Sequence, residues 1–268
     1  MAEIALLQMI VSPRKEDNLA RAEAAIAAHA GADLIALPEL FNTSYQVSDW
    51  PAVAEALPEG RTARFLSDMA RRHKVYLVGG SVPELVGGRV YNTATLWSPE
   101  GSLLLRHRKV HLFDVDIPGG ITFKESDFFS PGNEVSVVDT PLGTIGLAIC
   151  FDVRFPELFR AMALRGAELV LLPAAFNTTT GPAHWDLHLR GRAVENTLFL
   201  GACSPAPHPE VSYPAWGHSR WIDPWGIPTG EVEREEGAVR GTFSRDRLRA
   251  VRASLPLLSA RRPEVYGL

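Results

Sequence analysis

Short apolar runs alternate with longer amphipathic stretches along most of the chain. Apolar runs of strand length lie at residues 4–11, 33–39, 74–82, 141–150, 168–173, 197–204, 217–226 and 238–245. The spacing of apolar positions and the flanking residues predict helices at residues 14–30, 61–73 and 155–167. Strands interleaved with helices are typical of an α/β protein.

Two β-rich runs, "VYNTATLWSP" (90–99) and "GSLLLRHRK" (101–109), meet at Pro99-Glu100-Gly101 and predict a hairpin, and therefore a mixed sheet. The following segment, 112–134, lacks clear periodicity. Such a long loop in a compact domain is usually functional or disordered, and its aromatic residues argue against disorder, so we consider a lid. With no linker and no repeat, we expect one domain over residues 1–268.

Composition narrows the class of protein. A hydrophobic content of 46% and a net charge of -4 fit an ordinary soluble globular protein. No block of like charge points to nucleic acid or to an anionic membrane surface as a partner. The apolar runs are much shorter than the roughly 20 residues of a membrane span. The N-terminal apolar run has no cationic residues before it and no small-residue cleavage site, so we expect a first strand rather than a signal peptide. With only two cysteines, we expect a cytoplasmic protein.

The stretch "LIALPELFNTSY" (34–45) carries a carboxylate, Glu39, at the end of an apolar strand. A buried and unpaired charge costs several kcal/mol, so such a group has a partner or changes its protonation state. Glu39 is therefore either one half of a distant ion pair or a working acid and base.

Cys150 ends another apolar run and is followed by a predicted helix. A residue at a strand-to-helix turn projects from the sheet beside free backbone N–H groups, which suits a nucleophile. The alternative is a small buried hydrophobic residue. Lys109 stands where the hairpin ends; it is either a solvated residue of a basic strand edge or a group facing the same cleft. Open α/β sheets bind ligands beyond their strand ends, which favours a shared site for all three.

Three segments resemble the signature segments of the nitrilase superfamily of carbon–nitrogen hydrolases: "LPELFNTSY", "RHRKVHLFD" and "AICFDVRFPE". The stretches "KVHLFDVDIPGGITFKES" and "AAFNTTTGPAHW" extend the resemblance and make it strongest to the omega-amidase branch. The resemblance implies a four-layer α-β-β-α sandwich with mixed sheets. It also implies a homodimer and an enzyme that uses neither a metal nor another cofactor.

The resemblance also assigns roles at the site. Cys150 becomes the nucleophile, Glu39 the general base and Lys109 the third member of a Glu-Lys-Cys triad. A second glutamate that orients substrate falls on Glu125, which the residues alone would suggest is a solvated loop charge. The backbone N–H of Phe151, with Lys109, would hold the oxyanion as a thioester forms and ammonia leaves.

The implied substrates are small monoamides of dicarboxylic acids, chiefly 2-oxoglutaramate and 2-oxosuccinamate. Arg154, which from its position either grips a substrate carboxylate or pairs with Glu157, would hold the far end of the substrate. Phe176 and Thr180 would help Arg154 to hold the substrate, and Tyr45 is a further candidate for the wall of the pocket.

Two weaker signals and three functional hypotheses remain. His184 and His188 have the spacing of zinc ligands on a helix, but Trp185 replaces the glutamate of that motif, so packing or hydrogen bonding is favoured. Cys203 is interpreted as a buried, inert strand residue. An omega-amidase is the first hypothesis. The alternatives are an amidase for deaminated glutathione or N-carbamoyl compounds, and a catalytically silent scaffold.

Overall fold

A computed structural model describes residues 1–43, 45, 50–208, 211 and 213–266 of the chain. Its strands are β1 (Ala2–Gln8), β2 (Leu34–Ala36), β3 (Tyr76–Val86), β4 (Arg89–Trp97), β5 (Leu103–Arg108), β6 (Asp114–Asp116), β7 (Thr122–Lys124), β8 (Val137–Thr140), β9 (Gly143–Leu147), β10 (Leu169–Pro173), β11 (Phe199–Cys203), β12 (Ser219–Ile222), β13 (Pro228–Val232) and β14 (Gly237–Phe243). Its helices are α1 (Lys15–Ala28), α2 (Trp50–Val53), α3 (Arg61–His73), α4 (Pro156–Leu164), α5 (Gly181–Asn196), α6 (Arg245–Ser254) and α7 (Pro263–Tyr266).

Two six-stranded sheets, with orders β14-β1-β2-β3-β4-β5 and β13-β12-β11-β10-β9-β8, form the centre of the protein. In each sheet three central strands run parallel, β1 to β3 and β9 to β11. The outer strands pair antiparallel, and β4 with β5 forms the predicted hairpin. The mixed sheets are therefore confirmed.

The first strand shows why its sequence is apolar at nearly every position. Ile4 and Leu6 belong to the core between the two sheets, whereas Ala5 and Leu7 belong to a second core shared with α1 and α3. A strand that is covered on both faces needs apolar residues in succession rather than in alternation. On the far side, α4 and α5 cover the second sheet. The predicted α-β-β-α sandwich is confirmed.

Several predicted boundaries were wrong. The strands that lead to Glu39 and Cys150 end at Ala36 and Leu147, so both residues lie in turns beyond their strands. Segment 112–134 is less irregular than expected, because β6 pairs with β7 and a 3-10 turn follows at Glu125–Asp127. The sequence analysis also missed α5 and α6.

Helix α5 escaped prediction because its buried face is not simply apolar. That face contains Trp185 and Leu189 but also the polar Arg192 and Asn196, so the usual helical pattern of hydrophobic residues is interrupted. None of the helices in the described ranges combines the length and the apolar character that a membrane crossing requires.

Candidate active site

Glu39 lies in a tight turn between β2 and α2. Leu40 adopts a left-handed backbone with φ of 48°, and its N–H donates to the Ser81 hydroxyl at 3.0 Å. Strand β3 approaches this turn so closely that a Cβ at Gly80 would lie 2.1 Å from the carbonyl oxygen of Pro38. Glycine is therefore required there, and the close approach holds the Glu39 side chain inside the protein, where it is 1% exposed.

Lys109 follows directly after β5, and its N–H donates to the carbonyl of Asn92 at 2.8 Å. The ammonium Nζ donates to Glu39 Oε1 at 3.0 Å, and to Glu125 Oε1 and Oε2 at 3.0 and 2.8 Å. The residue is 1% exposed, so the alternative of a solvated strand edge is wrong. The predicted meeting of Glu39 with Lys109 is confirmed.

Glu125 is also buried rather than a solvated loop charge. Besides the lysine, its Oε2 accepts the backbone N–H of Phe113 at 2.7 Å. Asn92 Nδ2 donates to Glu39 Oε1 at 2.8 Å and to Glu125 Oε1 at 3.2 Å, and so bridges the two carboxylates. The sequence analysis missed Asn92, although an asparagine inside a strand, a residue depleted from strands, was a signal.

The charges of this cluster depend on one another. Burial acts against the charged form of Lys109, but Glu125 and Glu39 outweigh it and hold the lysine pKa well above its usual value. Burial raises the pKa of Glu125, with a smaller opposing effect of Lys109. A permanently charged ammonium therefore lies between two buried carboxyl groups.

Cys150 begins a 3-10 turn, Cys150–Arg154, and has a left-handed backbone with φ of 43°. Such a conformation is strained for a residue with a side chain and is typical of functional turns. The first N–H groups of such a turn have no partner within it, which leaves donors beside the sulfur. Burial and then the Glu39 charge raise the pKa of the Cys150 thiol well above its usual value. The resting group is a thiol that needs a base.

Asp152 anchors the turn that carries Cys150. Its buried carboxylate accepts the Ile149 N–H at 3.0 Å, the His111 N–H at 3.0 Å, and hydrogen bonds from the rings of His107 and His111 at 3.0 and 2.8 Å. Burial alone would raise the Asp152 pKa, but the two histidines and the Ile149 N–H lower it well below the usual range. The ionised carboxylate thus fixes the backbone on both sides of the nucleophile.

Replacement of Asp152 with asparagine is expected to lower the free energy of unfolding by about 2–3 kcal/mol at pH 7, since charge-assisted hydrogen bonds are lost. A lowered folded-state pKa contributes stability above the unfolded value of about 3.9, and this contribution disappears as pH falls through the folded-state pKa. Denaturant unfolding of both proteins between about pH 7 and 3 should show the gap narrowing at acid pH. The surface variant Asp139→Asn is the control. A gap that stays constant with pH would show that ionisation of Asp152 is unimportant.

The thiol opens into a pocket beyond the ends of the central strands. All the predicted residues except Glu39 line it: Tyr45, Lys109, Glu125, Cys150, Phe151, Arg154, Phe176 and Thr180. Further lining residues were not predicted individually: Phe113, Phe123, Ala175, Asn177 and Tyr213. They come from four separate segments of the chain, and no local pattern marks these segments as neighbours.

Arg154 lies against the Phe176 and Phe151 rings, with its guanidinium carbon 5.0 and 5.6 Å from their centroids. Its Nη1 contacts His184 Nδ1 at 3.0 Å and His188 Nε2 at 3.2 Å. Burial and the nearby Arg154 lower the pKa of His188 to about 4, so this ring is neutral at pH 7.

Within the described part of the chain Arg154 forms no salt bridge, so pairing with Glu157 was the wrong alternative. Both histidines contact the arginine, and the hydrogen-bonding role favoured for His184 is confirmed. The described residues contain no cluster of three or more histidine, cysteine or acidic side chains that could bind a metal ion. A half-buried guanidinium without a carboxylate partner is suited to an anionic ligand.

A family model for carbon-nitrogen hydrolases matches residues 3–253. The chain belongs to the carbon–nitrogen hydrolase family. This carbon–nitrogen hydrolase is 45% identical to the omega-amidase NIT2 of Mus musculus over 98% of its own chain and 96% of the relative. It is 43% identical to the omega-amidase NIT2 of Homo sapiens, over 99% and 96% of the two chains.

Solved structures agree with this assignment. Nit3 of Saccharomyces cerevisiae, a member of branch 10 of the nitrilase superfamily, superposes with a TM-score of 0.90 at 36% identity, covering 97% of this chain and 96% of that one. A variant of the amidase from Nesterenkonia sp. AN1 carries acrylamide added to its active-site cysteine. It matches at 32% identity with a TM-score of 0.79, over 96% of this hydrolase and 98% of that chain.

Proposed function

We propose that this carbon–nitrogen hydrolase is an omega-amidase, which releases ammonia from small monoamides of dicarboxylic acids such as 2-oxoglutaramate and 2-oxosuccinamate. The relatives named omega-amidase support amide hydrolysis. One observation supports the substrate class above all: the same pocket contains a thiol, with its buried Glu-Lys partners, and Arg154, which forms no salt bridge with any residue that the structure describes. A carboxylate on that arginine places the far end of the same small molecule beside Cys150.

The first half of the reaction uses Glu39 as the base. Glu39 takes the proton of the Cys150 thiol as the sulfur attacks the amide carbon. Lys109 and the backbone N–H of Phe151 are assigned to the oxyanion, because both residues line the pocket with Cys150 and supply a positive charge and a hydrogen-bond donor. Glu39 then returns the proton to the departing nitrogen, the carbon–nitrogen bond breaks, and ammonia leaves a thioester on Cys150.

In the second half of the reaction Glu39 again acts first as a base and then as an acid. Glu39 takes a proton from water as the water oxygen attacks the thioester carbon. The carbon–sulfur bond breaks, the sulfur recovers a proton from Glu39, and the free dicarboxylic acid leaves. The ammonium of Lys109 stays charged throughout, since the two glutamates hold its pKa well above its usual value. Glu125 and Asn92 keep the lysine and Glu39 in place through their hydrogen bonds.

An ammonia-release screen tests this function. The panel contains 2-oxoglutaramate, 2-oxosuccinamate, deaminated glutathione, an N-carbamoyl amino acid and a nitrile. We expect the two keto-monoamides to give the highest kcat/KM. A higher value for deaminated glutathione or the carbamoyl compound would favour another amidase of the family. No hydrolysis of any compound by folded protein would favour a silent scaffold.

Arg154 provides a prediction about specificity. Replacement with methionine is expected to lower kcat/KM for 2-oxoglutaramate by about 10- to 100-fold, because a charge-assisted hydrogen bond of about 1.5–3 kcal/mol is lost. A neutral amide of the same length should be hydrolysed at an unchanged kcat/KM. Arg160→Met, which removes another arginine near the same helices, is the control. Equal losses for the charged and the neutral amide would contradict carboxylate binding.

Other features stay predictions from the sequence and from the family. These are the single domain over residues 1–268, the homodimer, the cytoplasmic location and the movement of segment 112–134 as a lid.

A further inference from the structure

One side of helix α5 holds the end of the turn that carries the nucleophile. His184, His188 and Arg192 follow one another at intervals of four residues, so their side chains lie on the same side of the helix. Arg192 Nε donates to the carbonyl of Val153 at 2.8 Å, and its Nη2 donates to the carbonyl of Arg154 at 3.2 Å. The two histidines contact the Arg154 side chain. The helix therefore holds both the backbone and the guanidinium of this arginine.

The contacts of the guanidinium determine where the protons of the two histidines lie. Arg154 Nη1 carries two hydrogens and can only donate. His184 Nδ1 lies 3.0 Å and His188 Nε2 3.2 Å from that nitrogen, so each accepts one hydrogen bond. An accepting ring nitrogen carries no proton, so both rings are neutral in this arrangement. The lowered pKa of His188, about 4, agrees with this state.

The histidine pair holds the arginine without neutralising it. A carboxylate in place of either ring would also fix the guanidinium, but this ion pair would compete with an anionic ligand for the same positive charge. Among the residues that the structure describes, no acidic side chain forms a salt bridge with Arg154. Its other close neighbours are the rings of Phe176 and Phe151, which carry no charge.

We propose that His184 and His188 are positioning residues that hold Arg154 through neutral acceptors and so keep its positive charge available to the substrate carboxylate, an inference that rests on the proposed function. The two rings act through the arginine. The spacing that resembles a zinc motif thus brings two acceptors to one nitrogen. The charge of the side chain at residue 188, and not only its ability to accept a hydrogen bond, then controls the binding of an anionic substrate.

A matched pair of substitutions at residue 188 separates these two properties. In His188→Gln the amide oxygen can accept from Arg154 as a neutral group, whereas in His188→Glu a similarly placed oxygen accepts with a negative charge. His188→Leu removes the acceptor. Ala183→Glu adds the same charge at an exposed position of α5 and is the control. The measurements are kcat and KM for 2-oxoglutaramate and for a neutral amide of the same length, with thermal unfolding of each variant.

We expect His188→Gln to keep KM for 2-oxoglutaramate within about threefold of the wild-type value, and His188→Leu to raise it by about 3- to 10-fold. His188→Glu should raise it by about tenfold or more, because the glutamate neutralises the arginine. The kcat values, and both constants for the neutral amide, should change by less than about threefold. His188→Glu should unfold at no lower temperature than His188→Gln, since its ion pair with Arg154 holds the helix and the turn together. Weaker binding without weaker folding is not expected of a purely structural residue.

Three results would overturn the role of the histidine pair. These are equal KM values for His188→Gln and His188→Glu, equal effects on the charged and the neutral amide, and an effect of Ala183→Glu as large as that of His188→Glu. A wild-type enzyme that hydrolyses the neutral amide as efficiently as 2-oxoglutaramate, or that hydrolyses neither, would instead overturn the proposed function and this role with it.

Discussion

Replacement of Cys150 with alanine is expected to reduce ammonia release from 2-oxoglutaramate by about 10⁴-fold or more, the usual cost of removing a covalent nucleophile. No other side chain among the described residues of the pocket can take its place. Lys109 is held as a charged ammonium by Glu39 and Glu125. Burial raises the pKa of the Tyr45 phenol well above its usual value, so that group stays protonated.

Cys203 makes a matched control for this variant. It is also fully buried, its Sγ donates to the carbonyls of Leu7 and Ala36 at 3.2 and 3.4 Å, and it does not line the pocket. Cys203→Ala should cost about 1 kcal/mol of stability through the lost hydrogen bond and leave kcat unchanged. Circular dichroism and thermal unfolding check that both variants fold. Ammonia release that survives in folded Cys150→Ala would rule out the thioester mechanism.

The main chemical groups could be predicted from local sequence because each one follows an apolar strand. Open α/β sheets bind ligands beyond their strand ends, so Glu39 and Cys150 were expected to share a cleft. The cleft is shared, but it lies between two sheets, because Glu39 follows β2 and Cys150 follows β9. The resemblance to the family then assigned Glu125, which the residues alone did not. The local pattern of hydrophobic residues shows which strand a residue follows. The arrangement of the strands in the fold then determines which of these residues meet.

Partners that come from distant segments could not be predicted in this way. Asn92 bridges Glu39 and Glu125 from the middle of β4, and Tyr213 closes the pocket from a loop beyond β11. Nothing local distinguishes Tyr213 from other aromatic residues. The position of Asn92 inside a strand is unusual, but it does not show which carboxylates the side chain contacts. The hydrogen bond between Arg154 and His184 could not be predicted locally either, because it depends on α5 packing against the 3-10 turn Cys150–Arg154.

Replacement of Lys109 with methionine is expected to abolish measurable activity and to lower the free energy of unfolding by about 3–5 kcal/mol at pH 7, because it leaves buried carboxylates without their cation. Methionine fills much of the space of the lysine stem, so the loss reports charge rather than volume. Lys124→Met is the matched control, since Lys124 pairs with Asp127 at the surface, with side chains 65% and 54% exposed. That variant should lose less than about 1 kcal/mol.

The sign of the pH dependence makes the Lys109 prediction specific. Burial already raises the Glu125 pKa in the wild type, and loss of the ammonium removes the main opposing effect. A carboxyl group whose folded-state pKa is raised binds more protons when folded, so stability falls as pH rises above the unfolded value of about 4.3. Lys109→Met should therefore be more stable at about pH 5 than at pH 8, measured by denaturant unfolding.

A second substitution tests whether Glu125 causes this pH dependence of the stability. In Lys109→Met/Glu125→Gln, Glu39 remains as the only carboxyl group of the described residues that contacted the lysine, and an amide at residue 125 can still accept from the Phe113 N–H. The double variant should therefore recover part of the lost stability at about pH 8 and show a weaker pH dependence. A double variant less stable than Lys109→Met at both pH values would show that packing around the lysine, and not the repulsion between Glu39 and Glu125, sets the stability of the site.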